Sequence, residues 1–349
     1  MASGSGKRAE RGSMNSHDEI ASECRKLTEH REIDSHEVDF LMTDMDKREE
    51  KTDSPHEQLI PKVVNVAQKS TDNEDIHRVR LLTYRRTPFT YAQAPIEFYL
   101  PRSVILLHQL YVKMSINGNI YDCIKIGNTL VLTDYKNNQL INCNSDGSDI
   151  DHIPLPDTPN NLAVVDSKTL AVSCRNDEII LIINIPTGSI TSTIKTSGNC
   201  YGVSSAYSNL YVVIVHCAIQ IMDLTGKVIR TLPLPSENIE DIIVDRNRLV
   251  CIDCNTIYCC TLDGKITWKS SVSYQDLRRV TTDRRGTVYV TNGMTDNVLV
   301  VSENGHRYEE FLTSSDGMNR PSGIHFDKNE NVLFVCNASD GKAFLFNVK

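Results

Sequence analysis

Five glycines punctuate the second half of the chain at almost even intervals. Asp146-Gly147, Thr187-Gly188, Thr225-Gly226, Asp263-Gly264 and Asn304-Gly305 are separated by 41, 38, 38 and 41 residues. Each ends an apolar stretch that reads as two short strands: LVLTDYKNNQLINCNSDG, LAVSCRNDEIILIINIPTG, LYVVIVHCAIQIMDLTG, LVCIDCNTIYCCTLDG and VYVTNGMTDNVLVVSENG. Unrelated turns would not keep such a period. A unit of about 40 residues with several strands is the signature of a propeller blade, stacked on its neighbours because it cannot bury its apolar faces alone. The glycine suits the tight hairpin between the third and fourth strands, where the backbone needs positive φ.

Units begin near Asp122, Asn161, Tyr201, Ile239, Leu277 and Pro321, which makes six. The first five hold four strand segments each. The sixth supplies only SGIHFD, NVLFVCN and KAFLFNV, so one strand is missing. The expected donor is RSVILLHQLYVKMSI, Arg102 to Ile116, an apolar run just before the first unit. An N-terminal strand that completes the C-terminal blade closes the ring and leaves only short, protected edges. The expected fold is therefore all-β: a six-bladed propeller over 102–349, closed by an N-terminal strand. Residues 76–101 read as a linker and 1–75 as a polar arm, partly helical or disordered. Ser16 and Glu19 have the spacing of a capping box there, but no apolar heptads follow.

Composition narrows the function. The whole chain has 37 basic and 45 acidic residues, a net charge of −8. That balance argues against a broad nucleic-acid footprint. The start, MASGSGKRAERGSMNSHDE, has no apolar stretch of the kind a secretory signal carries. The longest apolar run, LYVVIVHCAIQIM, is too short to span a bilayer. Eleven cysteines scattered through strand-like segments read as reduced core thiols, which fits a cytoplasmic protein.

Two units carry a recognisable pattern: DLRRVTTDRRGTVYVTNGMTDNVLVVSENG (Asp276 to Gly305) and RPSGIHFDKNENVLFVCNASDGKAFLF (Arg320 to Phe346). In both, a short apolar strand leads to Asp283 or Asp327, then a tight turn, then an apolar run ending at Asn292 or Asn337. These units resemble NHL repeats. Taken over residues 100–349, the series resembles the C-terminal propeller of TRIM-NHL proteins, particularly the divergent invertebrate type. The resemblance implies the substrate-recognition part of a ubiquitin-pathway protein. It does not bring the ligase centre with it, because Cys24 is the single cysteine of the first 120 residues and cannot supply a RING finger or a B-box.

No catalytic constellation is expected. Cys251, Cys254, Cys259 and Cys260 are dense in sequence, but strand alternation divides them between two faces. A lactonase-like propeller enzyme would hold a divalent cation in the central channel. Asn161, Glu237, Asn238, Asn292 and Asn337 could approach such a channel, yet no carboxylate is seen to recur at the channel-facing position. No metal, cofactor or catalytic residue is therefore assigned. Binding residues concentrate on loops held by a rigid scaffold. In a propeller, the loops between blades and those between second and third strands share a face. Lys136, Arg175, Tyr201, His216, Arg278, Arg279 and Arg320 are the candidates placed on that face. The favoured partner is a protein, and the alternative is single-stranded RNA, which would stack bases on Tyr or His and pair phosphates with Arg. No membrane partner is expected, and the sequence leaves the oligomeric state open.

Overall fold

In a computed structural model of the chain, the described residues are 60–65, 80–85, 100, 101, 103–112, 118–175, 177–273 and 276–349. Ile60–Asn65 and Arg80–Arg85 pair antiparallel, forming a hairpin in a unit separate from the rest. Apart from residues 100 and 101, the remainder of the expected arm and linker, including Ser16 and Glu19, lies outside the described residues. Among those described, no helix is long and apolar enough to cross a membrane.

Residues 104–348 form six antiparallel four-stranded sheets. Their inner strands are Ile120–Ile126, Pro159–Val164, Cys200–Ala206, Asp241–Asp245, Leu277–Thr282 and Pro321–Asp327, for blades 1 to 6 in order. In blades 1 to 5 the four strands follow one another along the chain. In blade 6 the fourth strand is Val104–Tyr111, which pairs antiparallel with Lys342–Val348 and runs from Tyr111 opposite Lys342 to Val104 opposite Val348. The closing strand is thus the one expected from the sequence, and the fold is a six-bladed propeller.

The middle strands of each blade read as near-continuous apolar runs because both faces are covered by neighbouring blades. LVLTD, LAVSC and VLFVC are buried throughout. The apolar side chains gather between sheets. Leu110 and Val112, at the end of the closing strand, share one cluster with Cys123, Leu132, Phe334 and Leu345, joining blade 6 to blade 1. The five period glycines sit in the third-to-fourth-strand hairpins at φ between +64° and +88°. At Gly305 an added Cβ would fall 2.4 Å from the Trp268 ring. Trp268, on the outer strand of blade 4, packs across to blade 5 and donates its indole N–H to the Glu303 carbonyl at 3.0 Å. Among the described residues nine cysteines are free thiols, eight of them buried; Cys217 is not among the free ones. Cys251 and Cys260 pack with blade 3, and Cys259 packs with blade 5, as alternation requires.

Candidate functional site at the channel mouth

The third residue of blade 1's inner strand, Asp122, has an equivalent in every blade: Asn161, Gly202, Asp241, Arg279 and Gly323. These six positions ring the axis. Asp122 Oδ2 accepts from the Leu162 N–H at 2.8 Å, Asn161 Oδ1 from Val203 at 2.8 Å and Asp241 Oδ2 from Val280 at 2.9 Å. Each of these three side chains therefore ties its own inner strand to the next blade. Where glycine stands, backbone comes in instead. A Cβ on Gly202 would lie 2.7 Å from Asp241 Cα, and one on Gly323 would lie 2.7 Å from the Cys123 nitrogen.

Arg279 crosses the axis. One terminal nitrogen donates to the Asn160 carbonyl at 2.8 Å, and its Nε lies 3.8 Å from Asp122 Oδ2. Asn161 Nδ2 donates to Asp241 Oδ1 at 2.9 Å, linking blades 2 and 4. Burial pushes the Asp122 carboxyl up to about 7 and Asp241 up to about 6, with Arg279 opposing the rise in both. A cavity of about 120 Å³ runs among the inner strands from Asp122 and Asp241 to His325. Burial holds the His325 imidazole down to about 4. Lys125, buried beside it, donates to Asp327 at 2.8 Å and pairs with Glu330 at 2.8 Å.

On the loop side of this ring a cavity of about 260 Å³ opens, walled by Tyr121, Arg175, Glu240, Arg278, Arg279 and Arg320. Several wall residues are held by close contacts. The Arg175 guanidinium lies 4.2 Å from the Tyr201 ring centroid and donates to that residue's hydroxyl. Tyr121 stacks on Tyr135 with centroids 4.4 Å apart. Arg278 binds both oxygens of Asp276, at 3.1 and 2.8 Å, and its guanidinium lies against Gly293, where a Cβ would sit 2.4 Å from Cζ. Arg320 adopts φ +49°, its N–H bound to Asp296 Oδ1 at 2.6 Å. Its guanidinium forms no ion pair among the described residues. Asp276 and Arg320 also wall a second cavity of about 660 Å³, with Cys254, Gly293, Met294 and Asn319.

The structure brings four expected residues, Arg175, Arg278, Arg279 and Arg320, to one cavity, with Tyr201 beneath Arg175. Lys136 stands exposed on blade 1's turn beside Tyr135 and does not line it. His216 lies away from the cavity too, its Nδ1 bonded to the Glu237 carbonyl at 3.0 Å. Two expectations need correction. Arg279 is a buried floor residue and not a surface cation, because its position faces the axis, where Asp122 and Asp241 supply countercharge. Carboxylates do recur at the channel-facing position, as Asp122 and Asp241. Asn292 caps its own second-to-third-strand turn, accepting from the Met294 N–H at 3.1 Å, whereas Asn337 accepts from the Asn319 N–H in the loop before blade 6's inner strand and donates to Asp340 at 3.0 Å. Among the described residues no group of three or more His, Cys, Asp or Glu is placed to hold a metal ion.

Sequence reasoning missed Asp122, Asp241, Tyr121 and Tyr135. The axial residues carried a usable signal: Asp122, Asn161, Gly202, Asp241, Arg279 and Gly323 are spaced 39, 41, 39, 38 and 44 residues apart. Their chemistry differs from blade to blade, so only the period relates them.

No family model matches the chain, and no curated protein does. Solved structures do. A streptogramin B lyase is 13% identical, with a TM-score of 0.52 over 69% of this chain and 98% of that one. Virginiamycin B lyase from Staphylococcus aureus is 14% identical, with a TM-score of 0.53 over 71% of this chain and 100% of that one. A catalytically inactive variant of the same lyase with quinupristin gives 14% and 0.55, over 71% and 100%. The likeness is one of fold. It corroborates the propeller and leaves the NHL resemblance resting on the sequence motifs.

Proposed function

We propose that the chain is a non-catalytic recognition module, acting in the cytoplasm, that binds a protein partner on the loop face around the channel mouth. The observation that carries this reading is the groove formed by the two cavities that share Asp276 and Arg320, about 260 and 660 Å³. At its edge stands Met294, 67% exposed, an adaptable apolar contact. Tyr and Arg, the residues that most often anchor protein interfaces, dominate the inner end. Rigid strands and the paired guanidinia of Arg175, Arg278 and Arg279 hold these groups in advance, which lowers the ordering cost of binding.

Charge favours protein over nucleic acid. Arg175, Arg278, Arg279 and Arg320 are matched near the mouth by Glu240, Asp276, Asp122 and Asp241. Such a balance lacks the positive stripe that phosphate backbones need. The stacked Tyr121 and Tyr135 favour the second reading, single-stranded RNA, since every base has a face to stack. The NHL resemblance supports a place in the ubiquitin pathway, with any ligase supplied by a partner chain.

The test is affinity capture with the full chain and with its Arg278→Glu/Arg320→Glu variant. The wild type should retain a defined protein set that the folded variant loses. An unchanged set would defeat the reading. Tight binding of a labelled single-stranded RNA pool that weakens steeply with salt would replace it with the RNA reading. Because the solved neighbours are lyases, quinupristin incubated with the chain serves as the enzymatic control and should remain unaltered.

A further inference from the structure

The outermost strand of each propeller blade has a free edge, and natural sheets guard such edges with charge. Five of the six outer strands do so here: Asp151–Pro154 carries Asp151, Ser189–Lys195 carries Lys195, Val228–Pro233 carries Arg230, Ile266–Ser271 carries Lys269, and Tyr308–Leu312 carries Glu309 and Glu310. The sixth, the closing strand Val104–Tyr111, reads VILLHQLY and carries no Asp, Glu, Lys or Arg. It is also the longest, at eight residues. Three consecutive aliphatic side chains stand open on it, with Ile105 44%, Leu106 48% and Leu107 45% exposed, and Tyr111 is 68% exposed. Its inner side is taken by Lys342–Val348, and among the described residues nothing pairs with its outer side.

We infer that this edge is a dimer interface, and that its occupant is a second copy of the same strand. Pairing two identical strands antiparallel about a two-fold axis is isologous and closes on itself. It asks that the strand be self-complementary, and like charges set opposite one another are the usual obstacle. On the five guarded strands a two-fold would draw each charge toward its own copy, most severely at Glu309-Glu310 of blade 5. On Val104–Tyr111 it would set only aliphatic, Tyr, Gln and His side chains together. The two blades would then form one eight-stranded sheet, with Ile105, Leu106 and Leu107 of each copy removed from water. The inference is independent of the loop-face reading, because the outer edge of blade 6 contributes no residue to the channel mouth.

The experiment is the molar mass of the full-length chain by size exclusion with light scattering, across micromolar concentrations. The wild type should run at two chain masses, and Leu106→Lys/Leu107→Lys should run at one. Both positions are about half exposed, so the variant should retain its fold, which circular dichroism checks. Ile229→Lys, at the 57%-exposed apolar position on blade 3's outer strand, should leave the dimer intact. A monomeric wild type overturns the inference. So does a dimer that survives the double substitution, since another surface would then hold it.

Discussion

At the scale of single residues, the axis holds ionisable groups displaced in opposite senses, Asp122 and Asp241 upward and His325 downward. Asp122 titrates near 7 when folded, against 3.8 for an unstrained carboxyl, with Arg279 and Asp241 facing it. Between those values the folded chain keeps a proton that the unfolded chain has released, so stability rises as the pH falls through 7. His325 titrates near 4, against 6.5, among Asp327, Lys125 and Lys328. Between those values the unfolded chain takes up a proton that the folded chain refuses, so stability falls as the pH falls through 6.5. Asp241, raised to about 6, acts in the same sense as Asp122, and His325 opposes both across much of the same range. Urea midpoints measured between pH 4 and 8 in the wild type and in two variants separate these contributions. On acidification His325→Gln should gain stability relative to the wild type, whereas Asp122→Asn should lose stability relative to it. Identical slopes in both variants would show that these groups do not control the profile. The comparison rests on slopes because Asp122 also accepts two backbone N–H groups, and Asn can replace only one of those bonds with its oxygen.

At the scale of elements, the closing strand decides whether the ring is a ring. Leu110 is its buried anchor, in contact with the cluster that joins blades 6 and 1. Leu110→Asp places a charge in that apolar seam and should cost about 4 kcal/mol. Chemical denaturation checks it, and a loss below about 1 kcal/mol would mean that the seam tolerates water and the closure is weak. This element was legible in advance because the sixth unit ran short by one strand and Arg102 to Ile116 was the apolar run left over. The hairpin glycines were legible for a related reason, since positive φ restricts residue type and so marks sequence with a period. The axial ring was not legible. Asp, Asn, Gly and Arg satisfy the same geometric slot by different means: a carboxylate or amide bonds the next strand, a glycine admits it, and an arginine crosses to the far side. The burial of Arg279 was hidden for the same cause. Arginine near the start of a strand reads as a surface cation until the opposing carboxylates are seen.

At the scale of the molecule, each blade is covered by its neighbours and the last is tied to the first, so no blade has a reason to unfold alone. Heating the segment 100–349 should give one transition. Far-ultraviolet dichroism, which samples all six blades, and the fluorescence of Trp268, which samples the contact between blades 4 and 5, should report the same midpoint. Midpoints separated by more than their errors would show that the blades melt piecemeal. The barred axis has a further consequence. With Arg279 lying across it and Asn161 bound to Asp241, the disc is a coin and not a washer. No peptide tail can be threaded through it, and whatever enters the loop side must leave by the door it came in. The two flat sides can then answer to different partners, with only the stiffness of the strands to carry word from one to the other.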